Sequence, residues 1–292
     1  MTRTMKKVVS TALMAGALAL AGCPKSEPPK PTPLKELVIK KASVDLTNPD
    51  PNAAYWKDVP QGIVTLMAQP MVAPRPATTT TESVLVQALH DGTRVAFRLS
   101  WKDPEKSEGG RLGEFSDALA LEFPAREGPL PMVMMGSKDS PVHLFHWRAQ
   151  YQRDKERGKP TVKDLYPNVS VDMYPLEFKD GGPSGTPEQA EKFSPGRAEG
   201  NPQSYAKSGV DEIIAEGFST SAVQQGHGSS AQAEWKDGMW ALVIVRLLAV
   251  EGGSTLKPGA PGNIAFAVWQ GGQAEVGSRK SVTMSWTPIS IQ

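Results

Sequence analysis

The 292-residue sequence predicts an all-β protein, an antiparallel β-sandwich carrying one long irregular insertion. Three observations point there. From Leu34 onward apolar residues recur with period two far more often than with a helical period; two Asp-Gly pairs join β-rich runs; and helical stretches are few. Short strands punctuated by turn signals are the pattern of two packed sheets.

The strands follow in chain order. Residues 84–90 run into Asp91-Gly92 and then into 94–101, and an Asp-Gly pair between apolar runs is the strongest short-range signal for a hairpin. A further strand at 118–123 is stopped by Pro124, and another at 142–147 is opened by Pro141, where a missing N–H is tolerated. Strands are also expected at 240–247, 264–269 and 281–286, with Asp237-Gly238 as a second hairpin turn. Between about 150 and 232 the chain is polar and rich in Gly and Pro, broken by a short expected helix at 210–215. A loop of that length inside a compact domain is usually functional. It reads as one insertion wrapped over a single domain spanning 39–292.

Composition removes several functions. Lys+Arg 32 against Asp+Glu 31 leaves no basic surplus to meet nucleic-acid phosphates. The single cysteine, Cys23, excludes disulfide frameworks, zinc ribbons, iron–sulfur clusters held by several thiolates, and the C-x-x-C-H attachment of c-type haem. Arg3, Lys6 and Lys7 precede an apolar run at 8–21 that is too short to span a bilayer as a mature helix, so residues 1–22 read as a secretory signal. That run ends in Leu20-Ala21-Gly22-Cys23, which resembles the lipobox of bacterial lipoproteins. The resemblance implies cleavage before Cys23, lipidation of its thiol and a periplasmic protein anchored to the membrane. Pro24, rather than the Asp that resembles an inner-membrane retention signal, slightly favours the outer membrane. Residues 23–38 are proline-rich and read as an extended tether. Loss of the three basic residues takes the formal charge from +1 to −2.

The common catalytic motifs are missing. No H-E-x-x-H, P-loop, G-x-S-x-G or strand-borne G-x-G-x-x-G occurs. His143 and His146 are an odd step apart, which puts them on opposite faces of a strand. The run Pro129-Leu130-Pro131-Met132-Val133-Met134-Met135-Gly136 stands out. Methionine is most often core filler, but these lie between prolines and a glycine at the approach to a strand, where a thioether could meet a soft metal.

In order and approximate spacing, Phe123-Pro124, Met134-Met135-Gly136, Pro141-Val142 and His146-Trp147-Arg148-Ala149 resemble the haem-binding gamma subunits of ethylbenzene dehydrogenase and its relatives in dimethylsulfide dehydrogenase and selenate or chlorate reductases. The likeness continues in Trp56-Lys57-Asp58-Val59-Pro60, Ala215-Glu216-Gly217-Phe218, Trp235-Lys236-Asp237-Gly238, Phe266-Ala267-Val268-Trp269 and Arg279-Lys280-Ser281. It implies an immunoglobulin-like or DOMON-like sandwich around one non-covalent haem b, with a methionine and a lysine as axial ligands. The methionine falls on Met135, with Met134 as the alternative, and the lysine on Lys280, since the neighbouring Arg279 has no lone pair to offer. Lysine ligates iron only as the neutral amine, so the site must lower a pKa of about 10.4. Phe145, Trp147, Tyr174 and Trp269 are the expected pocket walls.

The resemblance further implies an electron relay with no substrate site of its own, partnered by a molybdopterin catalytic subunit and an iron–sulfur subunit or by another periplasmic cytochrome. The rival readings are a non-catalytic carbohydrate- or ligand-binding sandwich lipoprotein, in which tryptophans stack on sugars, and a structural lipoprotein that docks through the insertion.

Overall fold

Alternating apolar residues build strands, and turn chemistry sets their register. In the computed structural model the described residues are 32–169, 199, 209–224 and 228–292; the expected signal peptide, Cys23, most of the tether and Tyr174 lie outside them. In chain order the strands are β1 (Thr32–Pro33), β2 (Leu37–Lys41), β3 (Gly62–Thr65), β4 (Met67–Ala68), β5 (Ser83–His90), β6 (Arg94–Lys102), β7 (Ala118–Pro124) and β8 (Val142–Arg148). Helices α1 (Ala149–Arg157) and α2 (Val162–Leu165) precede β9 (Val210–Ala215), β10 (Ala222–Gln224), β11 (Ser230–Lys236), β12 (Met239–Leu247), β13 (Pro261–Trp269), β14 (Ser281–Val282) and β15 (Thr287–Ile291).

Two sheets face each other. One is ordered β5-β6-β12-β11, with β2 and β3 on the free edge of β5; the other is β10-β9-β8-β7-β13, extended by β14 and β4. Pairing is mainly antiparallel, but β15 joins the sheets by pairing antiparallel with β13 and parallel with β2. Both Asp-Gly hairpins form. Asp237 (φ 51°) and Gly238 (φ 76°) turn β11 into β12, two positive φ values in succession as the twist of a tight hairpin requires. Asp91 accepts the N–H groups of Thr93 and Arg94 through Oδ1, at 2.7 Å each, to turn β5 into β6.

The inward faces form the core. Trp101 on β6, Trp240 on β12 and Trp147 on β8 pack with ring centroids 5.0–6.2 Å apart, and Phe97, Phe123 and Phe145 continue the stack. Each such side chain contributes roughly 1.5–3 kcal/mol by leaving water. Charge is buried among them. The Arg246 guanidinium lies 4.9 Å and 4.8 Å from the centroids of Phe123 and Phe145 and donates to Ser254 Oγ and O at 2.6 Å each. Beside the tryptophans, Asp117 accepts from Trp240 Nε1, Ser107 N and Gly271 N. Burial and the charge of Asp117 push the neighbouring Asp103 carboxyl up to about 8.

Two expectations need correction. Residues 210–215 form strand β9, not a helix: paired with both β8 and β10, they send Val210, Glu212 and Ile214 to one face and Asp211, Ile213 and Ala215 to the other. The strand expected at 281–286 stops after Val282. The Thr283 hydroxyl then accepts the Phe266 N–H, Trp286 Nε1 donates to the Pro131 carbonyl at 2.8 Å, and the chain re-enters a sheet only as β15. Between 150 and 232 the described residues thus include most of α1, all of α2, β9 and β10, and the start of β11.

Candidate functional site

Strand parity decides which side chains can meet a ligand. On β8, His143, Phe145 and Trp147 point into the sandwich, while Leu144, His146 and Arg148 point out of it, beside Ala118, Ala120 and Glu122 of β7 and Asp211 and Ile213 of β9. On β13 the outward residues are Ala265, Ala267 and Trp269. Four alanines in adjacent strands, Ala118, Ala120, Ala265 and Ala267, leave a shallow floor on which a flat molecule can lie close to the backbone.

Loops enclose this floor in a cleft of about 530 Å³, within the usual range for ligand pockets. Met134 and Met135 come from the loop before β8, Phe218 and Ser219 from the loop after β9, Ser278 and Lys280 from the approach to β14, and Gln69 and Val72 from the far edge. The methionine loop is held in an unusual shape. Met134, Met135 and Gly136 have φ of 72°, 79° and 69°, three successive left-handed residues, of which two pay the Cβ penalty of roughly 1–2 kcal/mol. Partners hold the loop in place: Met135 N–H donates to Glu122 Oε1 (3.2 Å), the Met135 carbonyl accepts from Gly217 (2.8 Å), and Gly136 N–H donates to the Met132 carbonyl (3.1 Å). A Cβ on Gly136 would stand 2.7 Å from the Ser140 carbonyl oxygen, which explains a glycine directly after the methionines. Strain held by so many contacts is common at binding sites.

Across the floor, Lys280 places Nζ 4.8 Å from the centroid of Trp269, whose Nε1 donates to the Gly277 carbonyl at 3.0 Å. Burial pulls the Lys280 ammonium below its usual range, opposed by Glu122. Burial pushes Glu122 up to about 7, against the pull of Lys280 and of the Met135 and Met134 N–H groups. His146, with its ring 5.0 Å from Trp269, is held neutral well below its ordinary value by burial, with Arg148 and Lys280 adding to the effect.

Of the residues expected at the site, Met135, Met134, Lys280 and Trp269 line this one cleft. Phe145 and Trp147 do not: both point into the core and are fully buried there, because their strand turns its larger aromatic face inward. Arg279 is turned elsewhere, its guanidinium 5.9 Å from the Phe115 centroid and its Nε donating to the Ala274 carbonyl. Glu122, His146, Arg148 and Asp211 are cleft or cleft-edge residues that were not among the site residues expected from the sequence. The alternation of 142–148 separates Leu144, His146 and Arg148 from the aromatic face, and the structure shows that theirs is the face toward the cleft.

This donor set suits a metal that already carries its own equatorial ligands. A thioether and an amine of lowered pKa would both suit iron, whereas among the described residues no group of three His, Cys, Asp or Glu side chains is arranged to hold a bare ion. The alanine floor adds room for a planar ring.

The chain is 24% identical to a candidate respiratory nitrate reductase haem subunit, ORF7, of Haloferax mediterranei, covering 86% of this chain and 71% of that one. It is 24% identical to the dimethylsulfide dehydrogenase subunit gamma of Rhodovulum sulfidophilum (81% and 73%) and 26% identical to the chlorate reductase subunit gamma of Ideonella dechloratans (81% and 77%). Among solved structures, a family 9 carbohydrate-binding module from Caldicellulosiruptor kristjanssonii superposes with a TM-score of 0.41 at 9% identity, over 88% of this chain and 96% of that one. The sequence pattern described as ethylbenzene dehydrogenase matches residues 53–281, most of the domain, and the chain therefore belongs to that family.

Proposed function

We propose that this protein is a non-catalytic electron-transfer subunit that holds one haem b non-covalently between Met135 and Lys280, in a respiratory oxidoreductase of the molybdoenzyme type. The observation that carries the reading is the convergence of a strained Met-Met-Gly loop and a lysine of lowered pKa on one alanine-floored cleft. The names of the relatives, a haem subunit and two gamma subunits, point the same way.

When bound, the haem supplies reversible one-electron exchange. The chain's own residues do the rest. Lys280 offers a neutral amine because the cleft disfavours its charge, and the Met135 thioether favours the ferrous state, which raises the potential. Trp269 and Leu144, which line the cleft, would keep water from the ring. Met135 and Lys280 would both hold the iron, and the chemistry supplied there would be electron exchange rather than substrate conversion.

The subunit reaches its partners, a molybdopterin catalytic subunit and an iron–sulfur subunit, from the periplasmic side of a membrane to which lipidated Cys23 anchors it. Purified protein supplied with haem should give a low-spin b-type spectrum, and Lys280→Ala or Met135→Ala should convert it to a high-spin one while Met134→Ala does not. Protein that takes up no haem refutes the reading. Labelling with a radioactive fatty acid that is lost in Cys23→Ser tests the anchor.

A further inference from the structure

We propose that Arg148 is the carboxylate anchor of the cleft, fixing which edge of the bound cofactor faces β8. The inference rests on the haem reading and deepens it: iron ligation places the centre of a haem but leaves its rotation about the axial bonds undetermined.

The floor of the cleft is chemically asymmetric. Arg148, Ala118 and Trp269 form one rung across β8, β7 and β13, so Arg148 and the Trp269–Lys280 wall stand on opposite sides of it, two strand spacings or about 10 Å apart. On the Lys280 side Trp269 and Val72 stand beside the polar Gln69 and Ser278 and the Lys280 amine, and the described lining there carries no guanidinium. On the β8 side the outward residues run from Leu144 through His146 to Arg148, from apolar to cationic along one strand face. Protohaem has the same polarity: an apolar macrocycle with two carboxylates on one edge.

Arg148 is suited to receive that edge. Its guanidinium lies 5.3 Å from the ring centroid of Tyr151, one turn into α1, and the Tyr151 hydroxyl is itself tied to Asp211 Oδ2 at 2.7 Å. The Tyr151 ring packs against the guanidinium without using its N–H donors in a hydrogen bond. Among the described residues no carboxylate forms an ion pair with Arg148, although it lines a cleft that also contains Asp211. Arginine stays protonated and presents a fork that fits a carboxylate through two hydrogen bonds, which a lysine at this position cannot reproduce.

The test varies both protein and ligand. Haem and haem dimethyl ester, in which both carboxylates are masked, are titrated into the full-length protein, and affinity is read from the Soret band. Wild type should prefer the free acid by at least about tenfold, the size of one charge-assisted hydrogen-bonded pair. Arg148→Gln should bind both porphyrins alike, and Arg148→Lys should keep part of the preference. If wild type binds acid and ester equally, or Arg148→Gln keeps the full preference, the inference fails while the haem reading stands. If wild type binds neither, both fall. The ester comparison on unaltered protein decides the matter even if a variant folds poorly.

Discussion

Replacing Gly136 with alanine should dislodge the methionine loop, and the size of the effect can be worked out from its surroundings. At φ 69° any L side chain costs about 1–2 kcal/mol. The new Cβ would also lie 2.7 Å from the Ser140 carbonyl oxygen, which cannot swing aside because Ser137 and Ser140 exchange backbone hydrogen bonds at 3.1 and 2.9 Å. Relieving that contact means moving backbone, at a further cost of about 1–3 kcal/mol. The total is about 2–5 kcal/mol. Gly252→Ala is the control: its φ is 72°, but nothing lies within 4 Å of the new Cβ, so it should cost only the conformational part, about 1–2 kcal/mol. Urea unfolding of the two variants with unchanged slope measures the difference. Because Gly136 is joined to Met135, its alanine variant should also retain haem at least about tenfold less tightly, while Gly252→Ala binds normally. Equal midpoints and equal haem retention would refute the claim that close approach, rather than backbone freedom alone, demands glycine here.

The remaining predictions concern the core and pH. Asp103 is raised from about 3.8 to about 8, so the folded state holds a proton the unfolded chain has released; this contribution is present in full below pH 4 and is lost as pH rises through about 8. Thermal midpoints should therefore fall between pH 6 and pH 9, and Asp103→Asn should shrink that fall. Arg246→Ala should destabilise by about 3–5 kcal/mol in denaturant unfolding, because it breaks a buried charged network and leaves the Ser254 hydroxyl with His143 alone. Trp147→Phe should cost about 1–3 kcal/mol of stability yet leave Soret-monitored haem affinity unchanged, as befits a core residue, whereas Trp269→Ala should weaken haem binding.

Local chemistry was legible in the sequence wherever it acts alone. Asp91-Gly92 and Asp237-Gly238 announced their hairpins, and Pro124 and Pro141 bracketed their strands, because such residues restrict the backbone without help from the rest of the fold. Residues 210–215 were not legible as β9. Sandwiched between two strands, they bury both apolar and acidic residues on either face, so no clean alternation survives. The cleft was half legible. Met135, Lys280 and Trp269 follow from the family resemblance, but parity alone says only that Phe145 and His146 oppose each other, not which of them faces the ligand. The second sheet settles that by packing Trp101 and Trp240 against the face that carries Trp147. The positive φ values at Met134 and Met135 could not be foreseen, since they come from contacts with Glu122 and Gly217, distant in sequence.

The seam between β2 and β15 has a kinetic consequence. Leu37 pairs with Ile289, Lys41 N–H donates to the Gln292 carbonyl, and Gln292 N–H donates to the Ile39 carbonyl, so the strand that joins the two sheets at this edge pairs with one far from it in sequence. Hairpins such as β5–β6 can form early, but a contact spanning some 250 residues bears a larger loop-closure cost. Sandwich closure should therefore be a late, slow step in folding, with the floor strands exposed until β15 docks.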